Sequence, residues 1–107
     1  MPEDITNFAK LVQLDAHQFA LSGELTMQTV PAVARDSLGL VSKMSGEVKI
    51  NLAQVVRADS AGLALLIDWL RTAQRNKFGL EFEHLPEQLM QIARLSELHE
   101  VLPIRDS

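Results

Sequence analysis

Ser60 is the side chain that its neighbours single out most clearly for chemistry. It stands in "RADSAGLALLIDWL", Arg57 to Leu70, behind an acid and ahead of a small residue, a glycine and an apolar run. A hydroxyl in that setting can serve as a nucleophile, as a phosphate acceptor, or as part of a helix cap. Nucleophilic use requires a base and, in many hydrolases, a G-x-S-x-G turn. Here the flanking positions are Ala58 and Gly62, Asp59 directly precedes the serine, and no histidine is placed by sequence to take its proton. Capping by Asp59 or Ser60 needs only a side-chain oxygen that accepts an orphan backbone N–H, for about 1 kcal/mol.

The other reactive residue types form no constellation. His17, His84 and His99 fall in a predicted turn, a strand and a helix end, and none belongs to an HxxxH or HExxH spacing. The fourteen acidic residues are scattered, as on solvated faces or in first helical turns. Gly23, Gly39, Gly46, Gly62 and Gly79 match neither GxGxxG nor a GxxxxGK[ST] phosphate loop. With no cysteine, thiol catalysis, thiolate zinc sites and disulfides are excluded. We therefore expect no catalytic residue, no metal and no cofactor.

Composition sets the frame in which Ser60 must be positioned. The 107 residues fit a single domain over 1–107. Hydrophobic residues at 47% and charged residues at 22% are the proportions of a globular chain. A net charge of −4 without any basic cluster disfavours nucleic acid, whose binding relies on clustered Lys and Arg. The start, "MPEDITNFAK", has early acids and no apolar core of a secretory signal, and no apolar run approaches the ~20 residues of a membrane span. The expected location is the cytoplasm.

Periodicity places the elements. "FAKLVQL" (8–14) and "QFALSGEL" (18–25), joined by "DAH", predict an N-terminal hairpin. After Thr26, the segment "MQTVPAVARDSLGLVSK" carries Val30, Val33, Ala34, Leu38 and Val41 at helical spacing, with Pro31 suited to a first turn. "VKINL" (48–52) alternates as a strand, and a helix follows from about Ser60 to Asn76, with Gly79 available for its exit. "LEFEHL" predicts a strand with Leu80, Phe82 and His84 on one face. Pro86 opens a last helix through "EQLMQIARLSEL", and "VLPI" is a final strand that Pro103 confines to an edge or an end. The order β-β-α-β-α-β-α-(β) predicts an α/β fold, a mixed sheet of four to five strands with helices packed against it.

The central helix has apolar residues on more than one side. Leu63, Leu66, Ile67, Leu70 and Ala73 form the stripe expected to face the sheet, which leaves Ala61, Leu65, Asp68, Trp69 and Thr72 on the other side. Leu65 and Trp69 then need a cover, either a neighbouring helix or a partner protein, and Trp is a frequent interface anchor. Gly62 in the first turn costs up to about 1 kcal/mol relative to alanine, which a close backbone approach or an accessible loop would offset. From these residues we expect a docking surface of Asp59, Ser60, Ala61, Gly62, Leu65, Asp68, Trp69 and Thr72.

"ALSGEL" at 20–25, "VKINLAQVVRADSAGLALL" at 48–66 and the order of elements resemble the STAS domain family, over roughly Leu11 to Ile104. Within it, "GLALLIDWL" and the short terminal "VLP" look most similar to the MlaB-type members. That resemblance implies a non-enzymatic accessory subunit of an intermembrane phospholipid-transporting ABC complex that maintains outer-membrane lipid asymmetry. It would bind an MlaF-like ATPase subunit and, through it, an MlaE-like permease, at the cytoplasmic side of the inner membrane. The family's functional hydroxyl maps onto Ser60; in the anti-sigma-factor antagonists of the same fold the matching serine is phosphorylated by a partner kinase, which breaks the complex. That is the alternative function. Two positions depart from the pattern: "GELD" reads "GELT", with Thr26 in place of the acid, and Ala61 stands where MlaB-type proteins often have glycine.

Overall fold

Alternating burial along the first two apolar segments produces the predicted hairpin: β1 (Ala9–Gln13) and β2 (Gln18–Leu25) pair antiparallel, with Leu11 opposite Leu21. The computed structural model describes residues 8–105. The stretch 1–7, part of the segment read as lacking a secretory signal, lies outside the described residues, as do 106 and 107.

β3 (Glu47–Ala58), β4 (Gly79–Glu83) and β5 (Ile104–Arg105) complete a five-stranded sheet in the order β1-β2-β3-β4-β5, parallel from β2 onward. Parallel neighbours require crossovers, and the helices supply them. Ile50 pairs with Phe19 on one side and Phe82 on the other, and all three are buried. They form a central layer of the core, with Leu21, Leu52 and Leu66. The opposite face of the sheet carries Lys10, Val12, Lys49, Asn51 and Glu81, exposed or half-buried.

β3 runs six residues past the predicted "VKINL". Strict alternation fails after Leu52, where the next buried positions are Val55 and Ala58, because the pairing with β2 shifts register between Ala20 and Ser22 and again after Gly23. Such irregularities move the inward side chains out of period two. Gly23 is required there: at φ 97° a Cβ would lie against the Phe8 carbonyl and 2.9 Å from the Ala9 Cα.

The helical segment after Thr26 divides into α1 (Val30–Asp36), with Pro31 in its first turn as predicted, and α2 (Leu38–Val41). Buried Ser37 joins them, its hydroxyl donating to the Ala34 carbonyl at 3.3 Å. α3 (Ser60–Asn76) has the predicted bounds. Its exit is a correction to the sequence reading: Lys77, not Gly79, adopts the left-handed conformation, φ 62°. β4 also ends before His84, which turns out at φ 57° and is exposed rather than sharing a face with Phe82. α4 (Glu87–Leu95) follows Pro86 and stops short of Leu98.

Candidate functional site

The C-terminal end of β3 meets three other segments at Asp59. β4 ends opposite Asn51, so the last part of β3 has no strand beside it there among the described residues, and Gln88 of α4 satisfies the Ala58 amide at 2.8 Å. Asp59 is extended and caps α3: its Oδ1 accepts from the Ala61 amide at 2.8 Å, and its Oδ2 accepts from the Met27 amide at 3.1 Å. Its own amide donates to the Leu25 carbonyl at 3.0 Å, and its carbonyl accepts from Gly62 at 2.9 Å. Of the two cap candidates, the structure selects Asp59.

Ser60 is thereby released from structural duty. It is exposed at the first position of α3, and its hydroxyl makes no hydrogen bond to any described residue. Two positions on, α3 crosses the end of β2 so closely that a Cβ on Gly62 would stand 2.8 Å from the Leu25 Cβ and 2.9 Å from its carbonyl oxygen. This is the close approach expected to offset the glycine. The crossing fixes the height at which Ser60 is held above the sheet.

Beside the cap lies an open depression of about 530 Å³, lined in part by Glu24, Met27, Arg57, Asp59 and Gln88. Glu24 and Arg57 are opposite each other on β2 and β3. Thr26, the departure from the family acid, acts in the adjoining turn: its amide donates to Thr29 Oγ1 at 2.9 Å, and its own hydroxyl oxygen accepts from Gln28 at 3.3 Å. Met27 at the rim is exposed.

Asp59, Ser60, Ala61 and Gly62 form the cap and first turn of α3, but Leu65 and Trp69 do not belong to an outer surface. They are only 3% and 4% exposed. α1 and α2 cover Trp69: Ala34, Leu38 and Val41 line one groove with it, about 280 Å³ in volume. Of the two covers considered, the neighbouring helices supply it. α3 lies between α1 and α4 as well as on the sheet, so its buried arc is wider than one contact. At ~100° per residue the solvent strip is centred on Ser60, Ala64, Asp68, Arg71 and Arg75, all exposed. Asp68 stays on that strip. Thr72 is half-buried, its hydroxyl donating to the Asp68 carbonyl and accepting from Arg75 Nη2, both at 3.1 Å.

Sequence reasoning missed Met27, Ala64 and Arg71. The spacing of Asp68, Arg71 and Arg75 at i, i+3 and i+7 was the signal for the outer strip. His17 lies over Gly46, at the end of the sheet opposite Ser60. Among the described residues no three acidic or histidine side chains gather as metal ligands, and no helix is long and apolar enough to cross a membrane.

Known proteins share this fold. A protein of Thermotoga maritima classed with the anti-sigma factor antagonists superposes with a TM-score of 0.73 at 16% identity, over 91% of this chain and 85% of its own. The anti-sigma factor antagonist SpoIIAA in its unphosphorylated form gives 0.71 at 14% identity, over 92% and 87%. In sequence, an anti-sigma-B factor antagonist of Staphylococcus epidermidis is 23% identical over 100 residues, 94% of this chain and 93% of the relative. Residues 11–104 match the family profile described as "Mlab, STAS domain". With that match spanning the sheet, the Asp59 cap and all of α3, the chain belongs to the STAS domain family.

Proposed function

We propose that this chain is a non-catalytic docking subunit of a phospholipid-transporting ABC complex. Its Ser60 rim and the outer strip of α3 bind the ATPase subunit and, through it, the permease, at the cytoplasmic side of the inner membrane. The observation that carries the docking role is the exposed Ser60 hydroxyl, unbonded to any described residue, on a cap whose backbone is fixed by Asp59. A side chain with no structural task, held on a rigid frame, loses little entropy when a partner reads it. The family profile's description supports the transporter setting.

Co-purification and titration with the ATPase subunit test the reading. Ser60→Glu and Ala64→Glu each place a charge on the strip without touching the core, and each should weaken binding by about tenfold or more. Undiminished binding in both variants would sink it.

One observation favours a second reading, a serine-phosphorylation switch of the anti-sigma-antagonist kind. Ser60 sits at a helix N-terminus where a phosphate of about −1.5 to −2 charge is favourable, and the relative from Staphylococcus epidermidis is an anti-sigma-B factor antagonist. Mass spectrometry of protein isolated from its native cell discriminates: stoichiometric phosphate on Ser60 supports the switch, and its persistent absence supports constitutive docking.

A further inference from the structure

Among the described residues β1 is an edge strand of the sheet. Leu14 donates its amide to the Gln18 carbonyl, and the Phe8 carbonyl accepts from the Glu24 amide, so the even-numbered residues of this strand direct their backbone groups at β2. Antiparallel alternation then turns the N–H and C=O groups of Ala9, Leu11 and Gln13 outward. Exposed large side chains concentrate on the same short stretch: Phe8 is 52% exposed, Val12 39% and Leu14 59%. Strand alternation sets Val12 on the face opposite the buried Leu11, whereas Phe8 borders a cleft of about 430 Å³ that Ala32 and Val33 of α1 also line.

Edges of this kind are commonly blunted by charge, proline or a bulge. Within Ala9–Gln13 there is no proline, and Lys10 is the single charge.

We propose that two copies pair antiparallel through β1, with Leu11 opposite Leu11 and Ala9 opposite Gln13. This register matches all three outward residues of each strand. It also sets Phe8 of each copy opposite Leu14 of the other, in the non-hydrogen-bonded positions where cross-strand side chains approach most closely. Lys10 falls opposite Val12, so like charges do not meet directly. A slip of two residues separates Phe8 from Leu14 and strands one outward residue, and a slip of one sets outward groups against inward ones. Only the register centred on Leu11 therefore matches all three outward residues and both flanking apolar pairs. The two-fold axis is normal to the sheet, which keeps the helices of both copies on one face and directs the two Ser60 rims to opposite ends. The pairing therefore stands or falls independently of ATPase docking.

So short a ladder buries less than a standard stable interface, and the dimer is expected to be weak and concentration-dependent. Sedimentation velocity and light scattering on the full chain, up to millimolar concentration, measure it. Gln13→Pro removes an outward donor without touching a bond to β2 and should abolish the dimer while leaving the circular dichroism spectrum intact. Phe8→Lys and Leu14→Glu should each weaken association about tenfold, and the double variant should recover most of that loss, because each new charge then faces its opposite. A monomer at every concentration overturns the proposal. So does a dimer indifferent to Gln13→Pro and to the charge pair. If the chain stays monomeric and Gln13→Pro instead impairs ATPase binding, the edge belongs to that partner and self-pairing is likewise overturned.

Discussion

The carboxylate of Asp59 reaches the backbone amide of Met27, 32 residues away in sequence, at 3.1 Å while its other oxygen caps α3 at Ala61. One side chain thereby fixes both the start of the site helix and the turn that forms its rim. Asp59→Ala should cost about 2 kcal/mol, combining a lost N-cap with a lost charge-assisted bond, and lower Tm by roughly 10 °C. Amide exchange should accelerate at Met27 as well as at Ala61. Protection unchanged at Met27 would show that the rim holds without the bridge.

Ser60 carries none of that load. Ser60→Ala should alter stability by less than about 0.5 kcal/mol, in contrast to Asp59→Ala. Chemical denaturation of the two variants side by side separates the structural residue from the exposed one; similar losses would contradict the division of labour.

Gly62→Ala would ordinarily favour a helix by up to about 1 kcal/mol. Here the added methyl meets the Cβ and the carbonyl of Leu25, a backbone-bearing neighbour that cannot simply rotate away. A net destabilisation of about 1–2 kcal/mol is expected, measured by urea unfolding with an unchanged m-value. A stabilised variant would mean that α3 can shift off β2 at little cost.

Trp69→Ala removes a core side chain wedged between α3 and the α1–α2 segment, at an expected cost of about 3–5 kcal/mol. Its effect on partner binding should therefore track loss of fold. A Trp69→Ala variant of near-native stability that nevertheless fails to bind would return Trp69 to the interface.

Lys77 ends α3 at φ 62° and donates its amide to the Ala73 carbonyl. Glycine takes that conformation without a Cβ penalty, so Lys77→Gly should raise stability by about 0.5–1 kcal/mol. Thermal melts would register it as a Tm gain of a few degrees, and a loss would place the cost in the freed unfolded chain.

Much of this molecule is legible in its sequence. The hairpin, the bounds of α3 and Pro31 and Pro86 at helix starts follow from local alternation, capping and proline geometry, which act between residues a few positions apart, whereas the final strand, read as "VLPI", begins only at Ile104. The family signature is equally local, because Asp59, Ser60, Ala61 and Gly62 are consecutive. The extra length of β3 was not legible, since its bulged pairing with β2 breaks the period that marks a strand. Nor was the exit at Lys77, where position in the turn rather than residue type set the left-handed conformation.

What only tertiary structure decided is which arc of α3 faces solvent. The helix is apolar over more than half its circumference, and periodicity alone is satisfied by more than one orientation. α1 and α2, encoded some thirty residues earlier, close over Trp69, and α4, encoded later, closes the other flank. Burial on three sides leaves the strip from Ser60 through Ala64, Asp68 and Arg71, and so turns a residue pattern that pointed to Trp69 into a surface that excludes it.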